Sequence, residues 1–255
     1  VTVNSGVISS PMFRSLRDFT AGGEIIINGG EFKGQVWMQG LGSGSSSLTI
    51  NGGEFAPTAG YDGSSIFITN GTNDINVAVT GGFFNTKIGC NDANKAGVKG
   101  CIVGGTFTAN AIENTNAALI AEGYIAEADG DLFNIIYDPF YGYAKVNNVD
   151  ELSAALANGQ SKIYLAAGEV FEGTFAPKVN TEFLSDSENK ATIKGRVNTK
   201  SIDISFENIK FACLAGHSDK AWEGVGATAK GNEAIVMIEN AASSFENCNF
   251  EMDAT

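Results

Sequence analysis

The sequence predicts an all-β chain wound as a parallel β-helix, a β-solenoid of stacked repeats. Three observations carry that expectation: a short motif recurs, its period is short, and its residues favour strands and sharp corners. The motif is clearest as Ile25-Ile26-Ile27-Asn28-Gly29-Gly30-Glu31-Phe32 and as Leu48-Thr49-Ile50-Asn51-Gly52-Gly53-Glu54-Phe55. It returns as Val77-Ala78-Val79-Thr80-Gly81-Gly82-Phe83-Phe84 and as Cys101-Ile102-Val103-Gly104-Gly105-Thr106-Phe107. A weaker first copy is Val1-Thr2-Val3-Asn4-Ser5-Gly6-Val7-Ile8. The second small residue falls at positions 6, 30, 53, 82 and 105, in steps of 24, 23, 29 and 23.

Self-similarity at a period of roughly 20–50 residues marks a solenoid or array, and a step near 23 is too short for a propeller blade or a helical pair. Leucine-rich repeats share the period, but their leucine and asparagine pattern is absent. Val, Ile, Thr and Phe favour strands, and no helical spacing joins them. The Gly-Gly pair suits a corner, because glycine reaches positive φ without a Cβ penalty. The apolar residue beyond it turns back into the core. Successive copies then stack at the strand spacing of about 4.8 Å, placing Asn28 on Asn51 and Phe32 on Phe55.

Residues 1–137 form the first expected β-helix. Its second strands are placed at Gln35–Met38, Ser65–Ile68 and Ala117–Ile120. The stretch from Phe13 to Phe19, with Arg14 and Arg17, reads as a short helix or loop inserted in the first repeat. Gly42 to Ser47 reads as a flexible turn. Ile125–Ala128, then Asp129-Gly130, then Asp131–Ile136 reads as a hairpin, since Asp-Gly between apolar runs is a strong turn signal. A hairpin there caps the open edge of the stack.

A linker, 138–146, follows. Around it the run Tyr137-Asp138-Pro139-Phe140-Tyr141-Gly142-Tyr143 holds four aromatics. They read either as packing between the two domains or as a sugar-stacking platform, which makes Tyr141 and Tyr143 candidate ligand-binding residues.

Residues 147–255 form the second domain. Asn148 to Gly159 is an expected helix with readable ends. Asn148 is a good N-cap, Glu151 three residues on fits a capping box, and Gly159 suits C′. Val149, Leu152, Ala155 and Leu156 share one face. Strand-like runs follow at Lys162–Leu165, Gly168–Phe171, Gly173–Phe175, Ala191–Gly195, Ile202–Phe206 and Ile235–Ile238. Phe206-Glu207-Asn208-Ile209-Lys210-Phe211 recurs 39 residues later as Phe245-Glu246-Asn247-Cys248-Asn249-Phe250. One repeat and a long insertion account for that step.

This helix followed by "-IYLAAGEV-", "-ATIKG-" and "-ISFENIKF-" resembles the opening of right-handed β-helices of the pectin-lyase-like superfold. The resemblance implies a helix plugging the start of the stack and asparagines stacked at a turn, here Asn208 and Asn247. It also implies a second β-helix that is incomplete at its C-terminal end. The GG-x-F repeats and their "AEGY…DGD" ending resemble repeats in surface and virion proteins of gut bacteria and their phages. Neither resemblance assigns an activity, since the superfold includes lyases, hydrolases, epimerases, phage tailspikes and adhesins.

The 255 residues carry 29 acidic and 16 basic side chains, a formal net charge of −13. A phosphate-binding partner needs a basic face, so nucleic acid is excluded. No stretch is long and apolar enough to span a membrane, and no signal peptide is visible. The chain opens inside a repeat, so it is expected to be part of something longer or a processed form. Cys90, Cys101, Cys213 and Cys248 lack CxxC spacing and do not form a disulfide framework. Cys101 and Cys248 are expected as core thiols, with a Cys90–Cys101 disulfide as the minority alternative.

The insertion from Ala212 to Ala234 holds the only histidine, His217, with Asp219, Trp222 and Glu223. His217, Asp219 and Glu223 are weak catalytic candidates, as an acid–base set, against the plainer expectation of a solvated loop. Trp222 is a ligand-stacking candidate. Asn91 to Gly97 only faintly resembles a calcium loop, with Ala96 at a ligand position, so no metal and no cofactor is expected. There is no Asp-Asp pair and no Gly-His-Gly, and only Arg14, Arg17 and Arg196 supply guanidinium groups.

The expected function is a non-catalytic structural or adhesive module of a phage virion (fibre, tailspike or head decoration) or of a bacterial surface protein. It would be extracellular, homo-oligomeric (a trimer fits) or part of a larger assembly, with a cell-surface glycan as ligand. The alternative is a polysaccharide lyase or glycoside hydrolase acting on an acidic polysaccharide.

Overall fold

The computed structural model describes residues 1–9, 14–18, 22–39, 44–57, 63–69, 74–212 and 236–251. The chain is all-β with several parallel sheets, and it divides into two compact units, Val1–Tyr141 and Gly142–Thr255. Among the described residues no helix is long and apolar enough to cross a membrane.

In the first unit each of the first four repeats contributes three strands. The first repeat holds β1 (Thr2–Val3), β2 (Val7–Ile8) and β3 (Arg14–Asp18); the second holds β4 (Glu24–Ile27), β5 (Glu31–Phe32) and β6 (Gln35–Gln39). The third holds β7 (Ser45–Ile50), β8 (Glu54–Phe55) and β9 (Ile66–Thr69); the fourth holds β10 (Asp74–Val79), β11 (Phe83–Phe84) and β12 (Ile88–Cys90). Like strands pair in parallel, giving the orders β1-β4-β7-β10, β2-β5-β8-β11 and β3-β6-β9-β12. This alternation is compatible with a β-helix-like winding.

Motif residues meet their own equivalents. Ile27 pairs with Ile50 and Ile50 with Val79. Phe32, Phe55, Phe84 and Phe107 are fully buried and stacked, with ring centroids 4.9, 5.0 and 4.7 Å apart. Asn51 Nδ2 donates to Asn28 Oδ1, and Asn28 Nδ2 to Asn4 Oδ1, both at 2.8 Å; Thr80 Oγ1 donates to Asn51 Oδ1 at 2.9 Å. The two glycines of the motif serve different ends. Gly53 has φ +107°, open only to glycine, whereas a Cβ on Gly52 would lie 2.7 Å from the Asn28 carbonyl oxygen.

Several expectations need correction. Arg14–Asp18 is strand β3, because Leu16 falls in register with Val36 and packs on the core. Ser45–Ser47 opens β7, with Ser46 buried, and is no flexible turn. Ala117–Leu119 is a 3₁₀ helix, capped by Asn116 Oδ1 accepting from Ala118 N at 2.9 Å; only Ile120 keeps a bridge, to Ile102. Local side-chain capping of this kind competes with sheet pairing. No disulfide joins Cys90 and Cys101, and Cys101 is part of the apolar core.

β13 (Thr106–Thr108) runs into α1 (Ala109–Asn114), a helix that the residue pattern did not signal, N-capped by Thr108 Oγ1 accepting from Ala111 N. The hairpin forms from β14 (Tyr124–Asp129) and β15 (Leu132–Tyr137), with a two-residue loop at Gly130-Asp131, one residue later than expected. β15 lies antiparallel on β13, so it covers the edge of the middle sheet.

The second unit opens with β16 (Ala144–Val146) and α2 (Val149–Ala157). Asn148 Oδ1 accepts from Glu151 N at 2.9 Å, and the Glu151 carboxylate accepts from Asn147 N at 2.7 Å, one residue earlier than a standard capping box. Gly159 has φ +69°. Leu152, Ala155 and Leu156 are buried with Val146, Ile163 and Leu165.

β17 (Lys162–Leu165), β19 (Thr181–Leu184), β21 (Ile204–Glu207) and β24 (Ser243–Glu246) extend β16 into one parallel sheet. A second sheet holds β18 (Val170–Phe175), β20 (Ala191–Lys200), β22 (Ile209–Ala212) and β25 (Asn249–Glu251). β20 is twice the expected length, and its second half pairs with β23 (Val236–Glu239). Phe183, Phe206 and Phe245 stack at 5.2 Å intervals. The corner is made by Asn208 at φ +59° and Asn247 at φ +49°, with Asn247 Nδ2 donating to Asn208 Oδ1 at 2.7 Å.

Candidate functional site

His217, Asp219, Trp222 and Glu223 lie outside the described residues, as does Cys213. Tyr141 and Tyr143 are described, in different units. Tyr141 is exposed; its hydroxyl donates to Glu122 Oε1 at 2.5 Å, and that bond holds its pKa above the ordinary value. Its ring lies edge-on to Tyr137, 6.0 Å away, above Gly123, where a Cβ would meet both rings.

Tyr143 stands just before β16, at the mouth of a groove on the outer face of the second unit's first sheet. Strand alternation builds that face. Thr181, Phe183, Ile204 and Phe206 point inward and are buried, so their neighbours point out. Register then aligns two outer rows across the strands. One is Lys162, Glu182, Ser205 and Ser244; the other is Tyr164, Leu184, Glu207 and Glu246.

In the first row two long side chains are followed by two serines. The shortfall in volume leaves a groove of about 480 Å³, within the usual range for ligand sites. A smaller, more enclosed extension of about 220 Å³ runs past Tyr143, Glu207 and Glu246 and shares Glu182, Ser205 and Ser244 with it. Opposite lies a wall of turns tied in series. Asp203 N donates to Asn180 Oδ1 at 3.0 Å, and Ala242 N to Asp203 Oδ1 at 2.8 Å.

Charge in the groove is concentrated at its Tyr143 end. Lys162 Nζ lies 3.4 Å from Glu182 Oε2 and 5.3 Å from the Tyr143 ring centroid. Tyr143 Oη donates to Glu182 Oε2 at 3.1 Å. Burial, then the bond to Glu182 and the charges of Glu182 and Glu207, raise the Tyr143 pKa. An ion pair this exposed contributes at most about 1 kcal/mol to stability, so its consequence is to fix the Tyr143 ring, one face of which the ammonium occupies.

Chemically, the groove offers serine hydroxyls, the Asn180 amide, one ammonium and four carboxylates. These suit a ligand rich in hydroxyl groups. Among the described residues no three His, Cys, Asp or Glu side chains gather as a metal site. Of Tyr141 and Tyr143, the two candidates among the described residues, Tyr143 belongs to this groove and Tyr141 does not line it. The others in it carry a signal visible only through register: the recurrence of Phe206-Glu207-Asn208 as Phe245-Glu246-Asn247 already aligns Glu207 with Glu246. Comparison with protein-family models, curated proteins and solved structures finds no match.

Proposed function

We propose that the chain is a non-catalytic structural and adhesive module of a phage virion or of a bacterial surface protein, wound as a right-handed parallel β-helix of the pectin-lyase-like kind. It binds a cell-surface glycan in the groove beside Tyr143. The observation that carries the binding role is the groove itself: 480 Å³ floored by small hydroxyl side chains on a stiff parallel sheet. A rigid floor of this kind loses little entropy when a ligand settles on it. The fibre, tailspike or decoration role rests on the ladder of repeats, a build suited to extended, assembled proteins.

The test is a titration of cell-surface oligosaccharides by calorimetry, with wild type and Tyr143→Ala. Binding weakened about tenfold or more by the substitution, a loss of about 1.4 kcal/mol, supports the proposal. Binding indifferent to Tyr143, or no binding, overturns it.

One observation favours a second role, a polysaccharide lyase or glycoside hydrolase. Glu207 and Glu246 are direct neighbours across β21 and β24, so their backbones are about 4.8 Å apart. Paired carboxyls about 5–5.5 Å apart perform retaining glycoside hydrolysis. Release of reducing ends, abolished by Glu207→Gln, would establish that role in place of the first.

A further inference from the structure

We infer that the groove selects uncharged glycans and turns acidic polysaccharides away, an inference that rests on its being a glycan site at all. Four carboxylates line its two joined parts, Glu182, Asp203, Glu207 and Glu246, against the single ammonium of Lys162. That ammonium is already engaged by Glu182 and by the Tyr143 ring. Glu207 and Glu246 stand directly opposite one another in register, where like charges reinforce a negative field. The formal charge of −13 on the whole chain has the same sign. A uronate or sulfate laid along the serine row therefore enters a potential that repels it, in a cleft that focuses the field.

An uncharged sugar meets the opposite situation. Its hydroxyls donate to the carboxylates, and charge-assisted bonds of this kind are about twice as strong as neutral ones. Its oxygens accept from the hydroxyls of Ser205 and Ser244. The acidic rim therefore adds to the binding of a neutral chain and subtracts from that of an acidic one.

The experiment compares two oligosaccharides of equal length, one of neutral hexoses and one of uronates, by calorimetry at low and high ionic strength. It uses the full chain and the surface double variant Glu207→Gln/Glu246→Gln. The neutral chain is expected to bind at least about tenfold more tightly at about 0.01 M salt, where the screening length is about 30 Å. The gap should narrow at about 1 M salt and in the double variant. Uronate binding as tight as, or tighter than, neutral binding overturns the selectivity and leaves the glycan site standing. Failure of both oligosaccharides to bind overturns the glycan site, and the selectivity falls with it.

Discussion

Replacing Gly52 with alanine tests how closely the repeats are pressed together. The backbone of Gly52 has no positive φ, so alanine meets no intrinsic conformational penalty there. The obstacle is the neighbouring repeat: the new Cβ would sit 2.7 Å from the Asn28 carbonyl oxygen, against the 3.0 Å below which real Cβ atoms essentially never approach. The strands must part by at least about 0.3 Å. They are held on both sides, because Asn51 N donates to Ile27 O and Glu54 N to Gly30 O, each at 2.8 Å. Overpacking of a close-packed site costs about 1–3 kcal/mol, and stretching two bonds worth about 0.5–1.5 kcal/mol each adds a fraction of that. Gly52→Ala is therefore expected to lose about 2–3 kcal/mol, read from the urea midpoint by far-UV circular dichroism. Faster amide exchange at Asn51 and Glu54 locates the damage. Gly130→Ala is the control, since it sits at φ +62° with nothing within 4 Å of a Cβ, and it should lose only about 1–2 kcal/mol of backbone strain. A Gly52→Ala protein within about 0.5 kcal/mol of wild type would refute the close-approach explanation.

Two further predictions concern the core of the first unit. Phe55→Ala removes a fully buried ring stacked on both Phe32 and Phe84, so a loss of about 3–5 kcal/mol is expected. As a comparison from the second unit, Phe250→Ala, at a ring 54% exposed, should cost far less in the same unfolding assay. Burial pushes the Cys101 thiol up to about 12, from 9.0. The folded form holds that proton more tightly, so its stabilising effect is whole below pH 9 and fades as the pH rises through 12. Wild type should lose about 1.4 kcal/mol per pH unit across that window relative to Cys101→Ala. Parallel pH profiles of the two proteins would rule the effect out.

Inward-facing positions were legible because their chemistry repeats. Phe32, Phe55, Phe84 and Phe107 recur at the same offset from a glycine, and only a stacked register buries all four. The α2 helix was legible for a different reason: Asn148, Glu151 and Gly159 state its ends locally, without reference to the rest of the chain. Arg14–Asp18 was missed because its strand character comes from Val36 and its neighbours across the sheet. Ala117–Leu119 was missed because the Asn116 cap outweighs a strand register that extends only to Ile120. The groove was missed for a third reason. Lys162, Glu182, Ser205 and Ser244 are 82 residues apart from first to last, and nothing in their types suggests that they form one row.

The two units turn their corners by different chemistry, and this bears on where function can reside. In the first unit the corner glycines stand near φ +105°, at Gly30, Gly53, Gly82 and Gly105, a conformation that Asn does not share. In the second, Asn208 and Asn247 take φ near +50 to +60°, the left-handed region that asparagine tolerates, and their amides bond one repeat to the next. In the first unit the hydrogen-bonded rail comes from the residues two places before the corner glycines, Asn4, Asn28, Asn51 and Thr80, whereas in the second the corner asparagines themselves supply it. Asn180 and Asp203 repeat that device at the groove wall by bonding to the backbone of the next repeat. With corners and core both committed to holding the stack, the outward rows are the positions free to change without loss of fold. In the row that begins with Lys162 and Glu182, the change to serine on β21 and β24 accompanies the recess. That recess is lined by two small residues in register, on a scaffold that does not depend on them.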